Sequence, residues 1–118
     1  MLPEEKDAAC LWDILTAARL IQYVVSPMDM QSFLQDPVRQ AAVVRQFEII
    51  GEATKRLSPQ IRQAHPDVPW KKMAGMRDVL IHSYDRVNLH DIWNTSVKSI
   101  PELILSIESL FPPTNEQI

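Results

Sequence analysis

Cysteine occurs once in the 118 residues, at Cys10, so no internal disulfide can form. The three histidines, His65, His82 and His90, are scattered and show no metal-ligand spacing. A structural zinc site is thereby excluded, and no metal or other cofactor is expected. Glycine is nearly as scarce, with only Gly51 and Gly75, and most of the nine prolines fall between apolar-periodic segments. Little material remains for hairpin turns, which argues against a sheet protein. No stretch approaches about 18 uninterrupted apolar residues, and the start, Met1 to Asp7, is acidic where a secretory signal would be basic and then apolar. The expectation is a cytoplasmic chain with no membrane partner.

A strong basic excess is also missing. The formal net charge is −3, unlike proteins that coat duplex nucleic acid non-specifically. The charge is unevenly distributed, however. Residues 1–38 carry two basic and six acidic side chains, residues 39–86 nine and five, and residues 87–118 one and four. Charge runs are usually solvated helix faces; the sharper reading is a local phosphate-binding surface near the middle of the chain.

With 46% hydrophobic and 23% charged residues, the chain has the composition of one ordinary globular domain. Leu11, Ile14, Leu15, Ala18, Ile21 and Val25 recur at helical spacing over residues 4–26, and Pro27 closes that helix. A short turn or helix, Met28 to Gln35, follows. Asp36-Pro37 then reads as an N-cap followed by proline at the first helical position, opening a long helix whose broad apolar face includes Val43, Val44, Phe47, Ile50, Thr54 and Leu57. Ser58-Pro59 repeats the signal for a short helix to about His65. Another helix is expected from Trp70 to about Ser83, and a last one from near Asn88, kinked near Ile100 because Pro101 lies inside it. The fold class is therefore all-α, an up-and-down helical bundle. One domain is expected over residues 1–111, with a flexible tail at 112–118. Helices apolar on more than one side favour a homodimer. Cys10, Trp12, Trp70 and Trp93 are expected in the core, and His65 and His90 at the surface or at caps.

The most unusual segment runs from Met73 to Tyr84. On a helix at 100° per residue, Met73, Met76, Val79 and Leu80 fall together at roughly 200° to 320° from Arg77, whereas Asp78, His82 and Tyr84 lie on the other side with Arg77. Guanidinium presents forked donors to phosphate oxygens and stays charged, while imidazole titrates near neutrality. A histidine so placed can take the proton from a ribose 2′-hydroxyl or give one to a leaving 5′-oxygen. Arg77 would stabilise the additional negative charge of the transition state. Asp78, four residues before His82, would orient the ring and favour its protonated form. On spacing alone the same residues also fit a commonplace local charge pair at a helix end.

Arg77, four residues, His82, one residue and Tyr84 resemble the signature of HepT-like toxins of the HEPN ribonuclease superfamily. The stretch Glu48 to Pro59, then Val68-Pro69-Trp70 and Met73 to Asp78, is similar to that family in order and separation. The resemblance implies an all-α HEPN bundle, a homodimer, and a cleft at the dimer interface lined by Arg and His of both subunits. It further implies metal-independent cleavage of RNA to 2′,3′-cyclic phosphate ends. By position, Arg77 would bind the phosphate and His82 would be the acid/base residue. Tyr84 would be where a partner nucleotidyltransferase antitoxin of the MntA type attaches AMP. One departure stands out: Asp78 occupies a position that is often Asn in the family, which would weaken RNA binding or raise the His82 pKa.

Two functions follow. One is an endoribonuclease toxin neutralised by AMP attachment; the other is a non-catalytic subunit that holds or regulates a nucleotidyltransferase.

Overall fold

The computed structural model describes residues 5–75 and 88–111, and every regular element among them is helical. Helix α1 spans Glu5–Val25, α2 Met30–Leu34, α3 Pro37–Arg56 and α4 Pro59–Ala64. Helix α5 is described over residues 70–75. Helix α6, Leu89–Asn94, continues through a π turn, Thr95–Ser99, into α7, Ile100–Glu108. The all-α bundle expected from periodicity is what forms. The expected tail at 112–118 lies outside the described residues.

Each start has a chemical cause. Asp29 caps α2: its Oδ1 accepts the Ser32 N–H at 2.8 Å, and Ser32 Oγ accepts the Asp29 N–H at 3.2 Å. Asp36 caps α3 by accepting the Arg39 N–H at 3.1 Å, with Pro37 in the first turn where its missing donor costs nothing. Both carboxyls are held below their ordinary pKa, first by these backbone N–H bonds and then by the side chains of Ser32 and Arg39. Ser58 and Asn88 open α4 and α6 in the same way.

The core sits between α1 and α3, with α7 laid against α1 and α2 wedged between α3 and α6. All six apolar positions singled out in α1 are buried, as are Val43, Val44, Phe47, Ile50 and Thr54 of α3 and the following Leu57. Burying side chains of this size stabilises by about 1.5 to 3 kcal/mol each before chain entropy is counted. The buried Thr54 hydroxyl donates to the Ile50 carbonyl at 2.7 Å, so it brings no unpaired polar group inside. Phe33, fully buried, places its ring 5.5 Å from that of Trp93 and locks α2 onto α6. By length and by the mean hydropathy of 1.3 in an 18-residue window, α1 is long and apolar enough to cross a membrane, but its apolar stripe is the inner wall of this core.

One buried charge ties the start of the chain to its middle. Asp7 is 5% exposed; its Oδ1 accepts the Ser58 N–H at 2.9 Å and its Oδ2 accepts the Ser58 hydroxyl at 2.6 Å. Ser58 Oγ in turn accepts the Ile61 N–H, so the residue that caps α4 is itself held by α1.

Two expectations are corrected. The break foreseen near Ile100 is realised one turn earlier, as the π turn in which the Ile100 N–H reaches back to the Thr95 carbonyl. Widening that turn relieves the clash of the Pro101 ring with the carbonyl four residues back, and Ser96 Oγ bonds the Ile92 carbonyl at 2.7 Å inside it. Trp12 is not a core anchor: it is 54% exposed, edge-on to Phe111, with the Arg19 guanidinium 5.9 Å from its ring centre. Trp70 and Trp93 are buried as expected, and so is Cys10.

Candidate functional site

Arg77, Asp78, His82 and Tyr84 all lie in residues 76–87, outside the described residues. What the structure does fix is the scaffold on either side of them. Helix α5 is anchored by Trp70, whose indole Nε1 donates to the His65 carbonyl at 2.8 Å, and by Met73, buried one turn later. Trp70 is therefore engaged in the core and is not a base-stacking platform. Lys71 and Lys72 fall on the opposite side of the same turn and are exposed. Past the candidate segment, Asn88 Oδ1 accepts the N–H groups of His90 and Asp91 at 2.9 and 3.3 Å, and Ile92 and Trp93 enter the core. Arg77 thus follows, two residues on, a turn with one buried face and one cationic face.

Two cavities border α5. One, of about 270 Å³, separates α5 from α3 and α7 and is lined by Phe47, Ile50, Met73 and Leu103, with Asp67, Lys72 and Glu102 among its polar groups. The π turn contributes Thr95 and Ser99 to the same cavity. The other, of about 670 Å³, is an open groove between α4 and α5. Sequence reading located a basic middle of the chain but did not single out Arg62, Lys71 or Lys72, which the structure gathers along this groove. Their signal in the sequence was only the regional charge count, because the proximity of α4 and α5 depends on the His65 to Pro69 connector. His90 is exposed, and His65 is half-buried at the end of α4. Among the described residues no three His, Cys, Asp or Glu side chains are grouped so as to hold a metal ion.

Comparison with known proteins decides the family. Residues 14–110 match the family model described as Ribonuclease HepT-like. The chain belongs to the HepT-like ribonuclease family. Among its relatives, a protein named as a probable ribonuclease HepT in Thermococcus cleftensis is 41% identical over 100 residues, covering 85% of this chain and 91% of its own. A candidate RNase of Caldanaerobacter subterraneus subsp. tengcongensis is 48% identical over 86 residues, 73% of this chain and 77% of its own. A candidate RNase of Methanocaldococcus jannaschii is 35% identical over 116 residues, 98% of this chain and all of its own. No solved structure matches the chain. Membership in the HepT-like family makes the protein a ribonuclease and RNA its substrate class. Of the two functions drawn from the sequence, the enzyme stands.

Proposed function

We propose that this HepT-like protein is an endoribonuclease toxin that cuts RNA by internal transesterification without a metal, through Arg77 and His82. The observation that supports the reading is the spacing Arg77-x4-His82-x-Tyr84 within the region that matches the family. In the reaction the ribose 2′-oxygen bonds to phosphorus as the bond from phosphorus to the 5′-oxygen breaks. The 2′-hydroxyl proton passes to a neutral imidazole, and the departing 5′-oxygen takes a proton from an imidazolium. A 2′,3′-cyclic phosphate and a 5′-hydroxyl result. Arg77 holds the non-bridging oxygens and offsets the charge that develops on them. Asp78 orients the His82 ring.

One histidine cannot be base and acid in the same instant, and a homodimer that lines one cleft with His82 of both copies supplies the pair. Supporting a second copy is the apolar surface left uncovered on α1 and α7: Trp12, Leu20 and Tyr23, with Leu105 at 69% exposure. The partner in regulation is a nucleotidyltransferase antitoxin that attaches AMP to Tyr84. An added phosphodiester and nucleotide beside the cleft repels and blocks an RNA backbone. Incubation with the cognate nucleotidyltransferase and ATP is expected to add the mass of AMP to the wild type and not to Tyr84→Phe, read by intact-protein mass spectrometry. The same increment on Tyr84→Phe rules out this site.

A further inference from the structure

The groove between α4 and α5 is built from opposite sides by Arg62 of α4 and by Lys71 and Lys72 of α5. No aspartate or glutamate lines it; its other polar side chain is Gln63, and its floor is apolar, formed by Pro66, Pro69 and Trp70 among others. Four arginines elsewhere on the described surface are already paired with carboxylates. Arg19 pairs with Glu108 at 2.7 Å, Arg39 with Asp36 at 2.9 Å, Arg45 with Glu48 and Arg56 with Asp13 at 3.5 Å. Among the described residues, Arg62, Lys71 and Lys72 make no ion pair, and the buried Nε of Arg62 has no hydrogen-bond partner. Lys72 stands at the rim, bordering also the neighbouring cavity that holds Asp67 and Glu102, so Arg62 and Lys71 carry most of the groove's uncompensated charge.

The position of the groove matters as much as its charge. Lys72 precedes Arg77 by five residues. Even a fully extended chain covers no more than about 18 Å in five residues, so the groove lies within a few nucleotides of Arg77 whatever path the backbone takes. A cationic channel with an apolar floor, open to solvent along its length, fits a single strand laid with phosphates on the cations; it offers no concave pocket for a lone base. We propose that this groove is a second RNA-binding track, in which Arg62, Lys71 and Lys72 hold backbone phosphates flanking the scissile bond. The inference rests on the reading of Arg77 and His82 as the cutting site, since that is what places the track beside the chemistry.

The test measures binding of a fluorescent 12-nucleotide single-stranded RNA to His82→Ala protein, across a salt series, with and without the triple change Arg62→Gln, Lys71→Gln, Lys72→Gln. Each phosphate contact on a single strand contributes about 0.7 to the slope of log affinity against log salt. The triple variant is expected to lower that slope by about 2 and to weaken binding roughly tenfold near physiological salt. Because Arg62 is half-buried, the double variant Lys71→Gln, Lys72→Gln is run beside it, with an expected slope change of about 1.4. In the active protein the triple variant should raise KM for the 12-mer far more than for a dinucleotide, whose single phosphate is the scissile one and leaves none for the track to hold. An unchanged slope in both variants overturns the proposal. Failure of the cutting-site reading would look different: His82→Ala would then cleave the dinucleotide as fast as the wild type does.

Discussion

Replacing His82 by alanine is expected to lower RNA cleavage by about 100- to 10,000-fold, the range for losing one positioned proton-transfer group. The magnitude separates this role from others the residue could play. A histidine that only paired with Asp78 at a helix end would change stability by a few tenths of a kcal/mol and leave the turnover number alone. A histidine that only bound substrate would raise KM with kcat intact. The proposal requires kcat to collapse while the affinity for uncleaved RNA stays near that of the wild type, because Arg77 and the α4–α5 groove still hold the phosphates. His90→Ala is the matching control, since His90 is exposed at the start of α6 and its removal should leave cleavage unaltered. The assay is cleavage of one defined RNA by the three proteins, with thermal unfolding showing that each is folded.

Asp7→Ala is expected to destabilise the fold by about 2 to 4 kcal/mol, measured by denaturant unfolding. Hydrogen bonds to a charged group contribute roughly 1.5 to 3 kcal/mol each, and leaving a buried donor unsatisfied costs about 1 to 3 kcal/mol more. Against this, removing a buried carboxylate relieves its desolvation, which keeps the net below the sum. The loss is large beside a typical total of about 5 to 15 kcal/mol. It should fall on α4, whose capping Ser58 would lose the acceptor for both its N–H and its hydroxyl. The exposed pair of Arg56 with Asp13 makes the contrast: 3.5 Å apart with both side chains more than half exposed, it should contribute less than about 0.5 kcal/mol when broken. If Asp13→Ala costs as much as Asp7→Ala, the account of the buried tie is wrong.

The two aspartates show where sequence reading stops. Local signals were legible: Asp36-Pro37 and Ser58-Pro59 start α3 and α4 where cap chemistry places them, and the apolar periods of α1 and α3 name buried side chains. These depend on residues within one turn of each other. Asp7 read only as part of an acidic start, because its partner lies 51 positions away and nothing in either neighbourhood encodes the pairing. Trp12 misled for a related reason. A large aromatic beside an apolar stripe is usually drawn inside, yet here α1 turns it toward Phe111 and solvent, a choice set by where α7 lies. The π turn before Pro101 was visible only as a break, since the ring demands relief and the backbone chooses the form. As for the candidate site, its residue types and spacing were readable in the chain, while the cationic groove between α4 and α5 needed those two helices to be folded together.

The most direct measurement is the chemistry of the new RNA ends, determined after the purified protein cleaves a defined oligonucleotide in the presence of EDTA. Internal transesterification through His82 predicts 2′,3′-cyclic phosphate on one fragment and 5′-hydroxyl on the other, formed at an undiminished rate. Fragments carrying 3′-hydroxyl and 5′-phosphate ends, or activity that disappears with the chelator, would contradict it.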